Sequence, residues 1–424
     1  MDRPTEKAPE ETQEETLQET PDKSLPDLTG TCVLQIVPSL EAGGAERTAV
    51  DVAAALVRAG ARALVATTGG RLVPELQAAG AEWIPFPAAS KNPARILLNA
   101  ARLRQIARSE DVSLIHARSR APAWSALLAA SSAGLPFVTT YHGAYKRGGA
   151  LKNWYNSVMA RGDVVIANSA FTAGMISERH PAAEGKVTVV YRGTDLSKFD
   201  PAKIAPKRIA TLRAAWGVAE DRRIVLLAAR LTGWKGQEVL IDAAALIADR
   251  FSDVDFVLAG DPQGRDDYVA GLRSRIARHG LKQRVLIVGH CADMPAADMA
   301  ADIVAVPSTK PEAFGRSAAE AQAVGTPVVV SDLGAVPETV LAPPDVPASQ
   351  RTGWRVPPED AEALAGALAE ALQLSEAERA ALRARARAHV TGQFTLEAMT
   401  GATLAIYEKL IGAQTRSPRP NDGS

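Results

Sequence analysis

From Cys32 onward the chain repeats one pattern: a short, nearly continuous apolar run, a polar or glycine-bearing loop, then a segment with apolar residues at helical spacing. CVLQIV, ALVAT, EWIPF, VSLIH, PFVTTYH, DVVIANS and KVTVV are such runs in the first half, and RIVLLAA, VDFVLAGDP, VLIVGH, DIVAVPS and TPVVVSD in the second. Runs apolar on both faces are strands covered on both sides, and their alternation with helices makes right-handed βαβ units of a parallel, doubly wound α/β sheet. The pattern breaks once, at YRGTDLSKFDP and the Pro- and Lys-rich PAKIAPK, which puts a domain junction near Asp200 to Lys207. Two α/β domains are therefore expected, 30–203 and 204–394, and 424 residues are too many for one ordinary core.

Composition excludes several classes. Lys plus Arg and Asp plus Glu both number 48, so no bulk charge favours nucleic acid. Cys32 and Cys291 fall in different halves, which fits a reducing compartment. No apolar run approaches the ~20 residues that span a bilayer, and the polar, acidic start is unlike a signal peptide. Residues 1–29, rich in Glu, Thr and Pro, are expected to be a disordered acidic tail, as are residues 413–424. A cytoplasmic protein is expected, with peripheral docking on a membrane surface left open.

Ligands of such sheets bind at the carboxyl ends of the strands, and the loop-to-helix stretch PEAFGRSAAEAQAVG, from Pro311 to Gly325, carries the densest chemistry there. Glu312 lies in the loop and Glu320 two turns into the helix, so both can face one ligand. The free N–H groups of Phe314 and Gly315 at the helix start suit a diphosphate. Carboxylates beside a phosphate site repel it unless they meet something else, and sugar hydroxyls fit. The stretch points to a nucleotide-sugar.

Other strand-end loops add to it. Arg230 and Lys235, five residues apart after RIVLLAA, can neutralise a diphosphate and stabilise it as a leaving group. Gly43 and Gly44 precede a helix whose first turn holds Glu46 and Arg47, and they serve either a tight turn or a phosphate or sugar loop. This is not the GxGxxG fingerprint, which argues against a dehydrogenase. His116 and His142 each end a strand at the ligand edge. The Gly289, His290 and Asp293 loop can abut a base. Arg118 and Arg120 follow another strand end and favour an anionic acceptor. The helix KNPARILLNAARLRQIAR (Lys91, Arg95, Arg102, Arg104, Arg108) and the AYKRGGALKNWY loop (Lys146, Arg147, Lys152, Trp154, Tyr155) are either solvated basic faces or a surface for anionic lipid headgroups.

GGAER, TYHG, YRGTDLSKF, ARLTGWKG and EAFGRSAAEAQAVGTPVV together resemble the retaining family-4 glycosyltransferases of GT-B fold, over nearly all the chain except its tails. The resemblance implies two facing Rossmann-like domains with the active site in the cleft, and a last helix, within 395–412, that crosses back to the N-terminal domain. It implies that Glu320 binds the donor ribose and Glu312 the hydroxyls of the transferred sugar. Arg230 and Lys235 then hold the diphosphate with the backbone of Ala313, Phe314, Gly315 and Arg316, while His142 touches the donor sugar or its phosphate. Gly43, Gly44 and Arg47 line the donor and acceptor sides. No cofactor and no metal are implied, in keeping with the lack of a well-placed Asp-x-Asp pair. The junction departs from the family's usual Asn-Gly-Val-Asp, reading Arg192, Gly193, Thr194, Asp195.

HARSRAPAW and TTYHGAYKR look most like bacterial enzymes that add a hexose, of mannose type, to the lipopolysaccharide core, which implies an anionic glycolipid acceptor at the inner membrane. The expected reaction is hexosyl transfer from a nucleotide diphosphate sugar with retention. The alternatives are a nucleotide-sugar epimerase or phosphorylase on the same plan, or a nucleotide-sugar-binding protein without turnover.

Overall fold

A computed structural model describes residues 25–41, 43–143 and 148–416. Seven strands come from the first half: β1 (Cys32–Ile36), β2 (Arg62–Thr67), β3 (Glu82–Pro85), β4 (Leu114–Ala117), β5 (Phe137–Tyr141), β6 (Val164–Ala167) and β7 (Val187–Val189). They form one sheet in the order β3-β2-β1-β4-β5-β6-β7. The second half gives β8 (Arg223–Ala228), β9 (Val254–Ala259), β10 (Val285–Gly289), β11 (Ile303–Val306), β12 (Val328–Ser331) and β13 (Trp354–Val356), in the order β10-β9-β8-β11-β12-β13. All described pairings are parallel. These are two Rossmann-like sheets, and each reverses its strand order once, at β1/β4 and at β8/β11, where such folds open a ligand crevice.

Apolar side chains leave alternate faces of each strand, so each sheet carries two cores. In the first sheet Leu34, Ile36, Leu64 and Ile115 pack on one side and Val33, Val65, Leu114 and Val138 on the other. The last helix, Leu396–Arg416, follows the Glu376–Gln393 helix, yet its Met399, Leu404 and Tyr407 belong to this N-terminal core. The chain therefore crosses between domains twice, and the crossings touch: the Thr194 N–H donates to the Phe394 carbonyl (2.7 Å) and the Leu396 N–H to the Thr194 carbonyl (3.0 Å). A Cβ on Gly193 would lie 2.4 Å from the Leu396 Cα, so only glycine lets the two strands of chain pass this closely.

A second inter-domain contact uses the N-terminus of the Ala170–Arg179 helix. Its Ala170 and Phe171 N–H groups, which no helical carbonyl can accept, donate at 2.7 Å each to the two carboxylate oxygens of Glu338 from the C-terminal domain.

Some boundaries differ from expectation. Residues 1–24 of the expected tail lie outside the described residues, but Leu28 is buried and its N–H donates to the Ala59 carbonyl. Residues 417–424 lie outside the described residues as well, while 413–416 continue the last helix. Lys146 and Arg147 also lie outside the described residues. Strand β13, only three residues long, was not expected; it is recruited by pairing with β12 rather than by its own apolar run.

Candidate active site

The crevice of the C-terminal sheet gathers a cation, a carboxylate and a helix start. After β8 the loop through Arg230 turns back at Gly236, where φ is +76° and a Cβ would lie 1.8 Å from the Pro307 carbonyl oxygen. That close approach seats Lys235 against the loop that follows β11. Its Nζ donates to Glu312 Oε1 at 2.6 Å and lies 4.4 Å from the centre of the Trp234 ring. Ser308 Oγ donates to the same carboxylate oxygen at 2.5 Å. Glu312 is held from its backbone too, its carbonyl accepting from Ala335 N–H. Lys235 and Glu312 are mostly buried, so each charge depends on the other. Arg230 is exposed, and among the described residues its guanidinium has no hydrogen-bond or ion-pair partner.

Gly315, at φ +86°, turns the chain into the Arg316–Val324 helix. Phe314 is buried edge-on against Phe394, so its side chain belongs to the core and only its backbone is left for the crevice. Glu320, one turn into this helix, pairs with Arg316 (Nε–Oε1 2.9 Å) rather than with the partners of Glu312. Burial pushes its carboxyl up, against the opposing pull of Arg316 and Arg192. Behind it lies Asp298, 1% exposed, whose carboxyl is raised well above the usual range by burial and then by the Glu320 charge. The Ala313 carbonyl faces the N-terminal domain, where the Asn168 amide, its NH2 turned toward it, donates at 3.2 Å.

The N-terminal sheet contributes from β1, β4 and β5. Gly43 caps the Gly44–Arg58 helix, and its N–H is taken by the Glu46 carboxylate. Arg118, just past β4, is 2% exposed; its Nε donates to Gln35 Oε1 at 2.5 Å. Arg120 instead starts the Arg120–Ala133 helix and donates to Asn156 Oδ1 at 2.7 Å, so the two arginines diverge. Arg47 is occupied by Glu75, with Nη2–Oε2 at 2.8 Å. His142 lies past β5, and its Nδ1 accepts from Arg192 Nη2 at 2.9 Å. Burial, then the Arg192 and Arg118 charges, hold its imidazole well below the usual range, so it is neutral at pH 7.

The structure adds to the sequence reading at three places. His116 does not end its strand: it is buried inside β4, with Nδ1 2.5 Å from the Tyr407 hydroxyl and Nε2 2.7 Å from Thr140 Oγ1, a structural histidine that ties down the last helix. Asp293 caps the Met294–Ala300 helix and binds Arg208 at 2.6 Å, leaving His290 exposed beside it. Arg192, to which the sequence assigned no role, stands against the start of the Gly44–Arg58 helix: a Cβ on Gly44 would lie 2.2 Å from its Nη1. Ser308, Asn168 and Glu338 were not expected at all. Each is an ordinary polar residue in a strand-end loop or short helix, and nothing local distinguishes it.

Residues 42–198 match the family model for Glycosyltransferase Family 4, and residues 208–389 that for glycosyl transferases group 1. Among curated proteins, the D-inositol 3-phosphate glycosyltransferase of Jonesia denitrificans is 35% identical over 258 residues, which are 59% of this chain and 58% of that protein. The match thus spans well under two thirds of that relative's length. Among solved structures, a glycosyltransferase from Rickettsia africae is 32% identical with a TM-score of 0.83, covering 91% of this chain and 99% of that one. Anabaena HepE, solved in complex with UDP and glucose, is 27% identical with a TM-score of 0.76, covering 90% of this chain and all of that one.

Proposed function

The chain belongs to the glycosyltransferases of family 4 and group 1, and on that footing we propose that it moves a hexose from a nucleotide diphosphate sugar to a hydroxyl of an anionic envelope glycolipid, with retention. The observation that carries this reading is the crevice at β8/β11, where Lys235 meets Glu312 in the loop that leads into the Arg316–Val324 helix and Arg230 stands exposed on the loop after β8. Arg230 is the unengaged cation for the diphosphate, and Lys235 can pass from Glu312 to a phosphate oxygen as the Glu312 carboxylate turns to the sugar hydroxyls. Glu320 serves the ribose of the donor.

In the reaction the bond from the anomeric carbon to the phosphate oxygen breaks and the bond to the acceptor oxygen forms on the same face. The acceptor proton passes to the departing phosphate oxygen. Charge building on the diphosphate is what the fixed cations and helix start stabilise. The Jonesia relative, a D-inositol 3-phosphate glycosyltransferase, supports a second acceptor of the same charge type, a soluble polyol phosphate.

The deciding measurement is thermal stabilisation by UDP-, GDP- and ADP-sugars, with an Arg230→Ala, Lys235→Ala double variant beside the native chain. A donor at a hundred times its dissociation constant adds about 2.7 kcal/mol. One donor that stabilises the native chain and not the double variant is the expected result. Equal stabilisation of both would remove the diphosphate from this crevice.

No described helix is long and apolar enough to cross a membrane. For the glycolipid acceptor the surface of the N-terminal domain supplies a docking face: Leu97 and Leu98 on the Pro93–Ser109 helix and Leu151 and Trp154 on the Ala150–Asn156 helix are exposed, among basic residues Arg95, Arg108 and Lys152. Apolar side chains rimmed by cations suit an anionic bilayer surface.

A further inference from the structure

We propose that Arg118, His142 and Arg192 form a second anion site, on the N-terminal side of the crevice, that holds a phosphate or carboxylate of the acceptor itself and so selects acidic acceptors. The inference rests on the transferase reading and names what its acceptor must carry.

Arg118 and His142 come from adjacent strand ends of the first sheet, and Arg192 reaches them from the domain junction. Arg118 follows β4, His142 follows the adjacent β5, and the loop after β1, the other neighbour of β4, leads to Gly44, against which Arg192 rests. Arg192 can only donate, so its contact to His142 Nδ1 makes that nitrogen the acceptor, and the proton of the neutral ring sits on Nε2. His142 Nε2, Arg118 Nη2 and Arg192 Nε are all shielded from solvent with no hydrogen-bond partner among the described residues. The cluster thus offers three N–H donors and two positive charges.

No carboxylate among the described residues makes an ion pair with Arg118 or Arg192. The acidic groups that reach Arg192 electrostatically are Asp51 and Glu320, and burial has pushed Asp51 up to about 6 and raised Glu320 as well. They are weak counterions. Arg192 is itself pulled down to about 10 by burial and by the Arg316 and Arg118 charges. Unpaired buried charge is costly, and an entering anion removes that cost. A neutral sugar hydroxyl does not match the set, because it brings no charge to meet two guanidiniums. The donor diphosphate does not need it, since its own cations lie in the other domain.

The test uses the full chain saturated with whichever nucleoside diphosphate the donor panel identifies, titrated with inorganic phosphate and followed by calorimetry. The native protein is expected to take up phosphate on top of the nucleotide. Arg192→Gln should weaken that uptake by about tenfold or more, the loss of a charge-assisted hydrogen bond, while Arg192→Lys keeps part of it. Nucleotide affinity should stay level in both variants, and the melting midpoint of ligand-free Arg192→Gln should not fall, because the half-buried Arg192 charge has no carboxylate partner among the described residues to lose. Phosphate uptake that ignores Arg192→Gln, or is missing from the nucleotide-saturated native chain, overturns the site. Nucleotide affinity falling together with phosphate uptake gives Arg192 to the donor instead, and a lower ligand-free midpoint makes it a structural residue. If no nucleotide binds any form, the transferase reading fails separately, and phosphate titration of the Arg230→Ala, Lys235→Ala variant still reads the second site.

Discussion

At Asp298 a carboxyl group sits 1% exposed, with one oxygen lacking any described partner and the Glu320 charge close by. Its proton is easier to keep than to lose, which ties stability to pH. In the unfolded chain the group ionises near pH 4; folded, it holds its proton to well above that. The stabilisation is complete below the unfolded value and drains away as pH rises toward the folded one, by about 1.4 kcal/mol per pH unit inside that window. Asp51 and Glu320 add slopes of the same sign. Asp298→Asn removes one of them, so the variant should gain on the native chain as pH rises from 5 to 8. Urea denaturation at the two pH values checks it; a difference that does not change with pH means that Asp298 is ionised in the fold.

At the scale of the element, the strand and helix alternation was legible because both sheets are parallel and covered on both faces, which writes each strand as an unbroken apolar run. The partial exceptions are informative. Strand β13 has three residues and one of them, Arg355, is charged; its place comes from β12. The strand-end placement of Arg230, Lys235 and Glu312 was legible because each follows an apolar run, and strand ends are where such sheets bind ligands. That Lys235 would rest on Glu312, or that Arg118 would turn to Gln35 and away from Arg120, depends on side-chain directions that no spacing encodes. The Pro93–Ser109 helix bears a prediction of its own. If Leu97 and Leu98 dock on lipid, the full chain should sediment with vesicles rich in phosphatidylglycerol and much less with phosphatidylcholine alone, and Leu97→Ser with Leu98→Ser should weaken the association about tenfold, from apolar area alone. Equal sedimentation of native and variant chains would leave those leucines as plain surface.

Across the whole molecule, the two domains are joined at the paired crossings beside Gly193 and at Glu338 on the Ala170–Arg179 helix. The last helix makes the N-terminal core depend on a segment nearly three hundred residues away from His116: Tyr407 is fully buried, and its hydroxyl meets that histidine. Tyr407→Ala should cost about 3–5 kcal/mol through the cavity and leave His116 short of a partner, with the loss seen in denaturation of the full chain. Tyr407→Phe isolates the hydrogen bond and should cost about 1–2 kcal/mol. A destabilisation by Tyr407→Ala below about 1 kcal/mol would mean that the helix packs only loosely on that core.

The return of that helix also sets an order of events at the ribosome. Chains emerge amino end first, and domains commonly fold as they emerge. Here the first seven strands leave the exit tunnel long before Met399, Leu404 and Tyr407, so the nascent first domain waits with an open apolar face through the synthesis of the entire second one. The last part of the protein to be made completes the first part to appear.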